Sequence, residues 1–119
     1  WLHQKIIAFL NAEQLLFEKY LNLINKFYLE KRTVQEYATM LFVTPNYFSH
    51  TIKTLTNKNA LAFINDKIIK EAKSMVIYTN CTISEIAYDL NFKDTSNFNK
   101  FFKKHTGLTP IEFRQKNRR

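Results

Sequence analysis

The strongest constraint on the fold of this chain is an internal repeat. Thr33-Val34-Gln35-Glu36 recurs as Thr82-Ile83-Ser84-Glu85, 49 positions later. Further matches follow at the same offset and then, beyond the next turn, at an offset of 50. The matched pairs are Ala38 with Ala87, Leu41 with Leu90, Phe48 with Phe98, Ile52 with Phe102, Lys53 with Lys103, Thr56 with Thr106, Asn57 with Gly107 and Phe63 with Phe113. A repeat of this period predicts one supersecondary unit that is built twice, with one residue inserted in a loop of the second copy.

The beginning of each repeat has the pattern of a capped helix. Thr33 and Thr82 each stand three residues ahead of a glutamate, which is the capping-box pattern that satisfies free amides at a helix start. Apolar residues then recur at helical spacing, so we predict first helices over about 34–42 and 83–90. An alanine in the middle of each helix leaves room for a second helix to cross closely, as a helix-turn-helix unit requires.

A second helix follows in each repeat after a short turn. Thr44-Pro45 combines a capping residue with a proline at the first helical position, where the missing N–H is not needed. The corresponding helix of the second repeat is predicted to begin near Asp94. Ahead of it, Asn91 occupies a turn position that is predicted to need a left-handed backbone, which asparagine tolerates better than most residues.

The remaining segments are also predicted to be helical. A long linker helix is expected from residue 60 to about 78, a short helix from Thr109-Pro110, an amphipathic helix over about 14–29, and a shorter helix before it. Only one glycine and two prolines occur, which is too few turn residues for a sandwich or barrel. We therefore predict an all-α fold of seven to eight helices, in which two homeodomain-like helix-turn-helix subdomains are joined by the linker helix.

These elements also predict how the chain is divided. Residues 1–13 are interpreted as a linker or helix from a further domain upstream, and the apolar face of residues 1–11 is expected to pack on the 14–29 helix. An ordinary helix of the same domain is the alternative. The domain that contains both repeats is expected to cover residues 14–119. Its parts are a first subdomain over 14–58, a linker helix over 59–79 and a second subdomain over 80–119.

The formal charge of +8 is confined to one part of the chain. Residues 1–30 carry three lysines and three glutamates, whereas residues 31–119 carry 15 basic and 7 acidic side chains. A local basic excess indicates a polyanionic partner. The single cysteine, Cys81, excludes an intrachain disulfide and fits a reducing cytosol. No segment has the pattern of a membrane span or a secretory signal, so we expect a cytoplasmic protein with no membrane partner.

The second helix of each repeat is predicted to point a polar face away from its apolar side. The first face consists of Asn46, Ser49, His50 and Lys53, and the second of Thr95, Ser96, Asn99, Lys100 and Lys103. Asparagine can pair bidentately with adenine, lysine can reach guanine or phosphate, and serine or threonine serves either. A solvated polar face explains one such helix taken alone. Its recurrence in both repeats favours readout of double-stranded DNA.

The linker helix has a length that suits two contacts with one duplex. About 19 residues with a rise of about 1.5 Å each span about 28 Å. Successive major grooves on one face of DNA lie about 34 Å apart. With the width of the two subdomains added, we predict that the second helices enter adjacent major grooves. A rigid linker demands some bending of the DNA, which makes flexible base steps part of the specificity.

Three stretches of the second repeat resemble the signature of AraC/XylS-type transcription regulators. They are ISEIAYDLNF at 83–92, NFNKFFKK at 97–104 and GLTPIEFR at 107–114. The resemblance covers roughly residues 14–115 and implies two helix-turn-helix subdomains that each place a recognition helix in the major groove. It also implies transcription regulation in the bacterial nucleoid, usually activation, with RNA polymerase as an expected partner. A separate ligand-binding or dimerising domain upstream is implied as well.

The resemblance assigns base-facing positions in each recognition helix. In the first they are Asn46, Ser49 and His50, and in the second Thr95, Ser96, Asn99 and Lys100. Two residues depart from the family pattern. Asn91 replaces the usual glycine of the second turn, and Asn57 replaces the glycine that usually follows the first recognition helix. Since all three signature stretches lie in the second repeat, that repeat is the closer match to the family.

Other chemistry has little support in the sequence. His3, His50 and His105 lack cysteine or carboxylate partners at metal-ligand spacing, and no glycine-rich phosphate loop occurs. We therefore predict no metal, no cofactor and no enzymatic activity. One alternative is a helical protein-interaction module whose basic charge is incidental. An RNA-binding helical domain is a weaker one, because the predicted recognition faces present no aromatic side chain.

Overall fold

The computed structural model describes residues 1–118, apart from the side chain of Leu10. These residues form seven α-helices and no strand. In chain order the helices are α1 (Leu2–Phe27), α2 (Val34–Met40), α3 (Pro45–Thr56), α4 (Ala60–Tyr78), α5 (Ile83–Asp89), α6 (Thr95–Thr106) and α7 (Pro110–Asn117). The predicted all-α fold class is confirmed.

The chain divides into two compact units, and each contains one helix-turn-helix. The first unit comprises residues 1–65, in which α2 packs on α3. The second begins at residue 66, and in it α5 packs on α6. The long helix α4 starts in the first unit and continues into the second, at the place of the predicted linker helix.

The first helix differs from its prediction, because α1 is continuous from Leu2 to Phe27. The segment Asn11-Ala12-Glu13, where the break was expected, contains neither glycine nor proline, so nothing in it ends a helix. The predicted separate short helix is therefore wrong. Since residues 1–11 and 14–27 are consecutive parts of one helix, they cannot pack on each other, and that predicted contact is wrong as well. The assignment of residues 1–13 to an upstream domain stays a prediction.

The core of the first unit is built around Tyr20, whose side chain is completely buried. Its hydroxyl donates a 2.6 Å hydrogen bond to the carbonyl oxygen of Ala60 at the start of α4. The rings of Tyr37 and Phe48 meet the ring of Tyr20 edge-on, with centroid separations of 5.4 and 4.7 Å. Because Tyr37 belongs to α2 and Phe48 to α3, α1 packs against both helices of the helix-turn-helix.

The core of the second unit is a cluster of phenylalanine rings around α6. Phe98 and Phe102 are completely buried, so they form the inner side of this helix. The ring of Phe113 from α7 meets that of Phe102 edge-on at 5.3 Å. Arg114 ties α7 to the end of α4, because its Nε donates a 2.8 Å hydrogen bond to the carbonyl oxygen of Val76. Carbonyls in the last turn of a helix have no partner within that helix, so this bond stabilises the end of α4.

Candidate nucleic-acid interface

The helices α2 and α5 both begin with the capping box that the sequence predicts. The amide of Glu36 donates to the hydroxyl of Thr33 at 3.2 Å, and the amide of Thr33 donates to the Glu36 carboxylate at 3.2 Å. Glu85 and Thr82 form the same pair of bonds at 3.1 and 2.9 Å. The hydrogen bond from the Thr82 backbone favours the charged carboxylate and holds the pKa of Glu85 below its ordinary value. These boxes define where each helix-turn-helix begins.

The turn inside each helix-turn-helix is the same in both units and uses a left-handed residue. Phe42 has a φ of 59° and Asn91 a φ of 60°. The amide of the residue that follows each one donates to the carbonyl of the mid-helix alanine, at 3.1 and 2.9 Å, as in a Schellman motif. The left-handed Asn91 was predicted and is confirmed. Phe42 was missed because phenylalanine has no local preference for this backbone, although the repeat offset pairs the two positions.

The recognition helices, α3 and α6, also begin and end alike. Thr44 and Asp94 cap them, and the side-chain oxygen of each accepts a hydrogen bond from the third amide of its helix, at 3.2 and 2.7 Å. Both helices end at a residue with positive φ, which is 62° at Asn57 and 85° at Gly107. The departure from glycine at Asn57 therefore leaves the cap in place, because asparagine accepts this backbone.

The outer side of α3 carries the residues that were predicted for it. Phe48 and Ile52 are completely buried on the inner side. On the opposite side, the exposed predicted residues are Asn46, Ser49, His50 and Lys53. Tyr47, which the sequence analysis did not select, lies beside them and is 45% exposed. The expectation that the recognition faces carry no aromatic side chain is therefore wrong for α3.

The outer side of α6 is less uniform. Of the predicted residues, Ser96, Lys100 and Lys103 are exposed, whereas Thr95 and Asn99 are half-buried. The Thr95 hydroxyl donates a 3.1 Å hydrogen bond to the hydroxyl of Ser84 in α5. Thr95 and Asn99 also line a depression of about 430 Å³ beside the first residues of α5 and α7. A partner that contacts Asn99 therefore also comes close to the beginnings of two other helices.

The three predicted lysines differ in their surroundings. Lys53 Nζ donates a 3.3 Å hydrogen bond to the carbonyl oxygen of Asn57, at the end of its own helix. Lys103 lies near α7, where the Glu112 carboxyl has a lowered pKa, mainly because of a backbone hydrogen bond at the start of that helix and to a smaller extent because of Lys103. Lys100 is exposed and has no hydrogen bond or ion pair with any residue in the described part of the chain. Of the two predicted lysines on α6, Lys100 is thus the one that is free to meet a partner from outside the unit.

Two further properties bear on the function of this surface. Within residues 1–118, no three histidine, cysteine or acidic side chains converge in a way that could hold a metal ion. In the same residues, no helix combines the length and the apolar character that a membrane span needs. His105, one of the three histidines without a metal-ligand partner in the sequence, instead packs its ring beside that of Phe101, with centroids 4.5 Å apart.

Comparisons with known proteins agree with the tandem architecture. A family model described as a helix-turn-helix domain matches residues 37–116. Among curated proteins, the chain is 31% identical over 91 residues to the uncharacterized HTH-type transcriptional regulator YobQ of Bacillus subtilis. The match covers 76% of this chain and 38% of that protein, so the chain spans less than half of the relative's length.

Two solved structures share the fold. One is the C-terminal domain of the two-component response regulator yesN from Fusobacterium nucleatum, with a TM-score of 0.75, 26% identity, and coverage of 87% of this chain and 98% of that one. The other is the DNA-binding domain of the global transcriptional factor AdpA in complex with a target DNA, with a TM-score of 0.72, 17% identity, and coverage of 85% and 90%. These structures share the fold, and the family match over residues 37–116 shows that the chain belongs to the AraC-type helix-turn-helix family of DNA-binding transcription regulators.

Proposed function

We propose that this chain binds double-stranded DNA in a sequence-specific manner through both recognition helices and thereby regulates transcription. The observation that carries the proposal is the matched construction of α3 and α6. Each has 12 residues, a side-chain cap at its start, a left-handed cap at its end and a polar outer face. The major groove of B-DNA is about 12 Å wide and admits one α-helix. Two helices of the same build therefore favour two groove contacts.

The outer face of α3 offers groups that suit base edges. Asn46 presents an amide oxygen and an amide nitrogen, a pair that matches the N6 and N7 atoms of adenine. Ser49 and His50 both donate and accept hydrogen bonds, so they suit several bases. All three side chains are exposed, so no contact within the unit has to break before they meet DNA.

The outer face of α6 combines base readout with charge. Lys100 is the cation for a guanine edge, because its ammonium group donates to O6 and N7. Asn99 is the second asparagine reader, beside the depression near α5 and α7. Thr95 and Ser96 complete the face at the start of the helix. Since Thr95 already donates to Ser84, its hydroxyl is oriented within the unit before DNA arrives.

The remaining lysines supply contact with the phosphate backbone. Lys53 and Lys103 lie in the last turns of their recognition helices, one turn beyond the base-facing residues. Neutralised phosphates release counterions, so binding through these residues weakens as salt rises. The excess of 15 basic over 7 acidic side chains in residues 31–119 acts in the same direction.

The DNA partner, an upstream domain and the mode of regulation are also proposed, from relatives and composition. AdpA binds a target DNA, which supports DNA as the partner, and adjacent major grooves remain our prediction for the two helices. The yesN neighbour is the C-terminal domain of a response regulator, which supports a sensing or dimerising domain upstream of residue 14. Within a bacterial cytoplasm, regulation by activation through contact with RNA polymerase is the proposed outcome.

Selection of duplexes from a random pool, followed by salt titration of the selected sequence, tests this function. We expect an extended site with two conserved blocks about one helical turn apart, and an affinity that falls steeply with salt. A single block shows that only one recognition helix reads DNA. If no salt-dependent binding occurs, the proposal fails and the alternative of a helical protein-interaction module stands.

A further inference from the structure

A groove in the first unit, outside the recognition helices, has the features of a peptide-binding site. Its lining residues are Lys19, Asn22, Leu23 and Lys26 of α1 with Met40 and Leu41 at the end of α2, and its volume is about 330 Å³. We propose that it binds a segment of another protein that presents large apolar side chains flanked by carboxylates. Because no lining residue belongs to α3, this inference goes beyond the DNA-binding function and does not depend on it.

The floor of the groove is apolar and adaptable. Leu23, Met40 and Leu41 are half-buried, so each leaves part of its apolar surface open to solvent. Methionine is unbranched and polarizable, and it adjusts to ligand side chains of different shape. An apolar floor with one flexible member fits a leucine- or phenylalanine-sized side chain of a partner.

The rim of the groove specifies the charge of its occupant. Lys19 and Lys26 are seven residues apart on α1, which places them on one side of the helix and about 10 Å apart along its axis. Both are exposed, neither forms an ion pair within residues 1–118, and no acidic residue lines the groove. Carboxylates two helical turns apart, on either side of an apolar residue, complement this rim.

A second feature next to the groove also indicates a protein partner. Phe42 directly follows Leu41, is 95% exposed and has the left-handed φ of 59°. A bulky residue pays a steric cost for this backbone. In the second unit Asn91 meets the same requirement without exposing an aromatic ring. The first unit thus keeps an unfavourable residue that exposes apolar surface one residue beyond the lining of the groove, where a partner seated in the groove can extend to cover it.

The test uses two synthetic amphipathic peptides and the chain as it stands. One peptide carries leucine and phenylalanine on one face with glutamate on both flanks, and its twin carries lysine in place of glutamate. Fluorescence anisotropy should show saturable binding of the glutamate peptide only, weakened by salt. We expect Lys19→Gln with Lys26→Gln, and separately Phe42→Asn, to weaken binding by at least about fivefold. Lys70→Gln with Lys116→Gln removes the same charge from exposed positions outside the groove and should have no such effect.

Three outcomes overturn the proposal. The first is absence of binding by the glutamate peptide, and the second is equal binding of both peptides. The third is an equal loss from the control pair, which would show that only net charge matters. The affinity of each variant for the selected DNA duplex is measured in parallel. If Phe42→Asn lowers that affinity and leaves peptide binding unchanged, Phe42 belongs to the DNA interface, and this assignment is wrong while DNA binding itself stands.

Discussion

The hydroxyl of Tyr20 donates a 2.6 Å hydrogen bond to the carbonyl oxygen of Ala60, which lies 40 residues further along the chain. The tyrosine side chain is completely buried, so no water can replace this bond. Ala60 is the first residue of α4, and the bond therefore joins α1 to the start of the linker helix. The same tyrosine ring contacts Tyr37 of α2 and Phe48 of α3. One side chain thus connects the four helices that meet in the first unit.

Removing the Tyr20 hydroxyl should destabilise the protein. Tyr20→Phe leaves the ring in place and takes away the donor, so we expect the free energy of unfolding to fall by about 1–2 kcal/mol. Urea denaturation followed by circular dichroism measures the change. Tyr88→Phe is the matched control, because Tyr88 is 81% exposed and should lose under about 0.5 kcal/mol. An equal effect of both variants would show that the hydrogen bond to Ala60 makes no net contribution to the free energy of unfolding.

Stability should fall in alkaline solution in a way that depends on Tyr37. Burial raises the pKa of Tyr37 from 10.0 to about 12, and its hydroxyl donates a 2.8 Å hydrogen bond to the carbonyl oxygen of Lys31. The folded state therefore binds this proton more tightly than the unfolded state does. The resulting stabilisation is complete below pH 10 and is lost as pH rises from 10 to about 12. Burial shifts the pKa of Tyr20 in the same direction.

Urea denaturation at several pH values between 10 and 12 checks this expectation. The free energy of unfolding should fall less steeply with pH for Tyr37→Phe than for the unmodified chain. The reason is that the variant lacks the Tyr37 hydroxyl, whose proton the folded state binds more tightly than the unfolded state does. Tyr78→Phe, at a residue that is 80% exposed, serves as the matched control. A Tyr37→Phe variant with an unchanged slope rules out this residue as a source of the alkaline loss.

The backbone at Phe42 should make glycine the most stable choice there. The left-handed φ of 59° costs a side chain with a Cβ atom about 1–2 kcal/mol, and glycine avoids this cost. We expect Phe42→Gly to be about 1 kcal/mol more stable than Phe42→Ala, since alanine removes the exposed ring but keeps the strain. Thermal and urea unfolding of the two variants measure the difference. Equal stabilities would mean that the backbone at this turn is not strained.

Different residues of the recognition helix α6 should contact bases and phosphates. Asn99→Ala should cost about 1–3 kcal/mol at particular base pairs of the selected site and little on unrelated DNA. Lys103→Ala should weaken binding on every sequence and reduce the salt slope by about one. Competition titrations with single-base variants of the site separate the two effects, with Lys116→Ala, at an exposed position of α7, as the control. A uniform loss from Asn99→Ala contradicts its assignment as a base reader.

Features that depend on neighbouring residues in the sequence were predictable. The capping boxes at Thr33 and Thr82 use a side chain and an amide three positions apart, so both partners of each hydrogen bond can be identified from the local sequence. The left-handed Asn91 was predicted from its own residue type. The same reasoning missed Phe42 and placed a break in α1 at Asn11-Ala12-Glu13, where no local signal ends a helix.

The sequence by itself determined the tandem repeat, the helical class and the polar faces of the two recognition helices, because periodicity and capping act over one or two turns. Only the tertiary structure decided which side chains remain available. Thr95 bonds to Ser84 across 11 residues, and Arg114 bonds to Val76 across 38. Such contacts depend on how helices cross, and crossing is set by the packing of side chains that are distant in sequence. The groove between Lys19, Lys26 and Leu41 arises in the same way, since it forms only where α1 meets the end of α2.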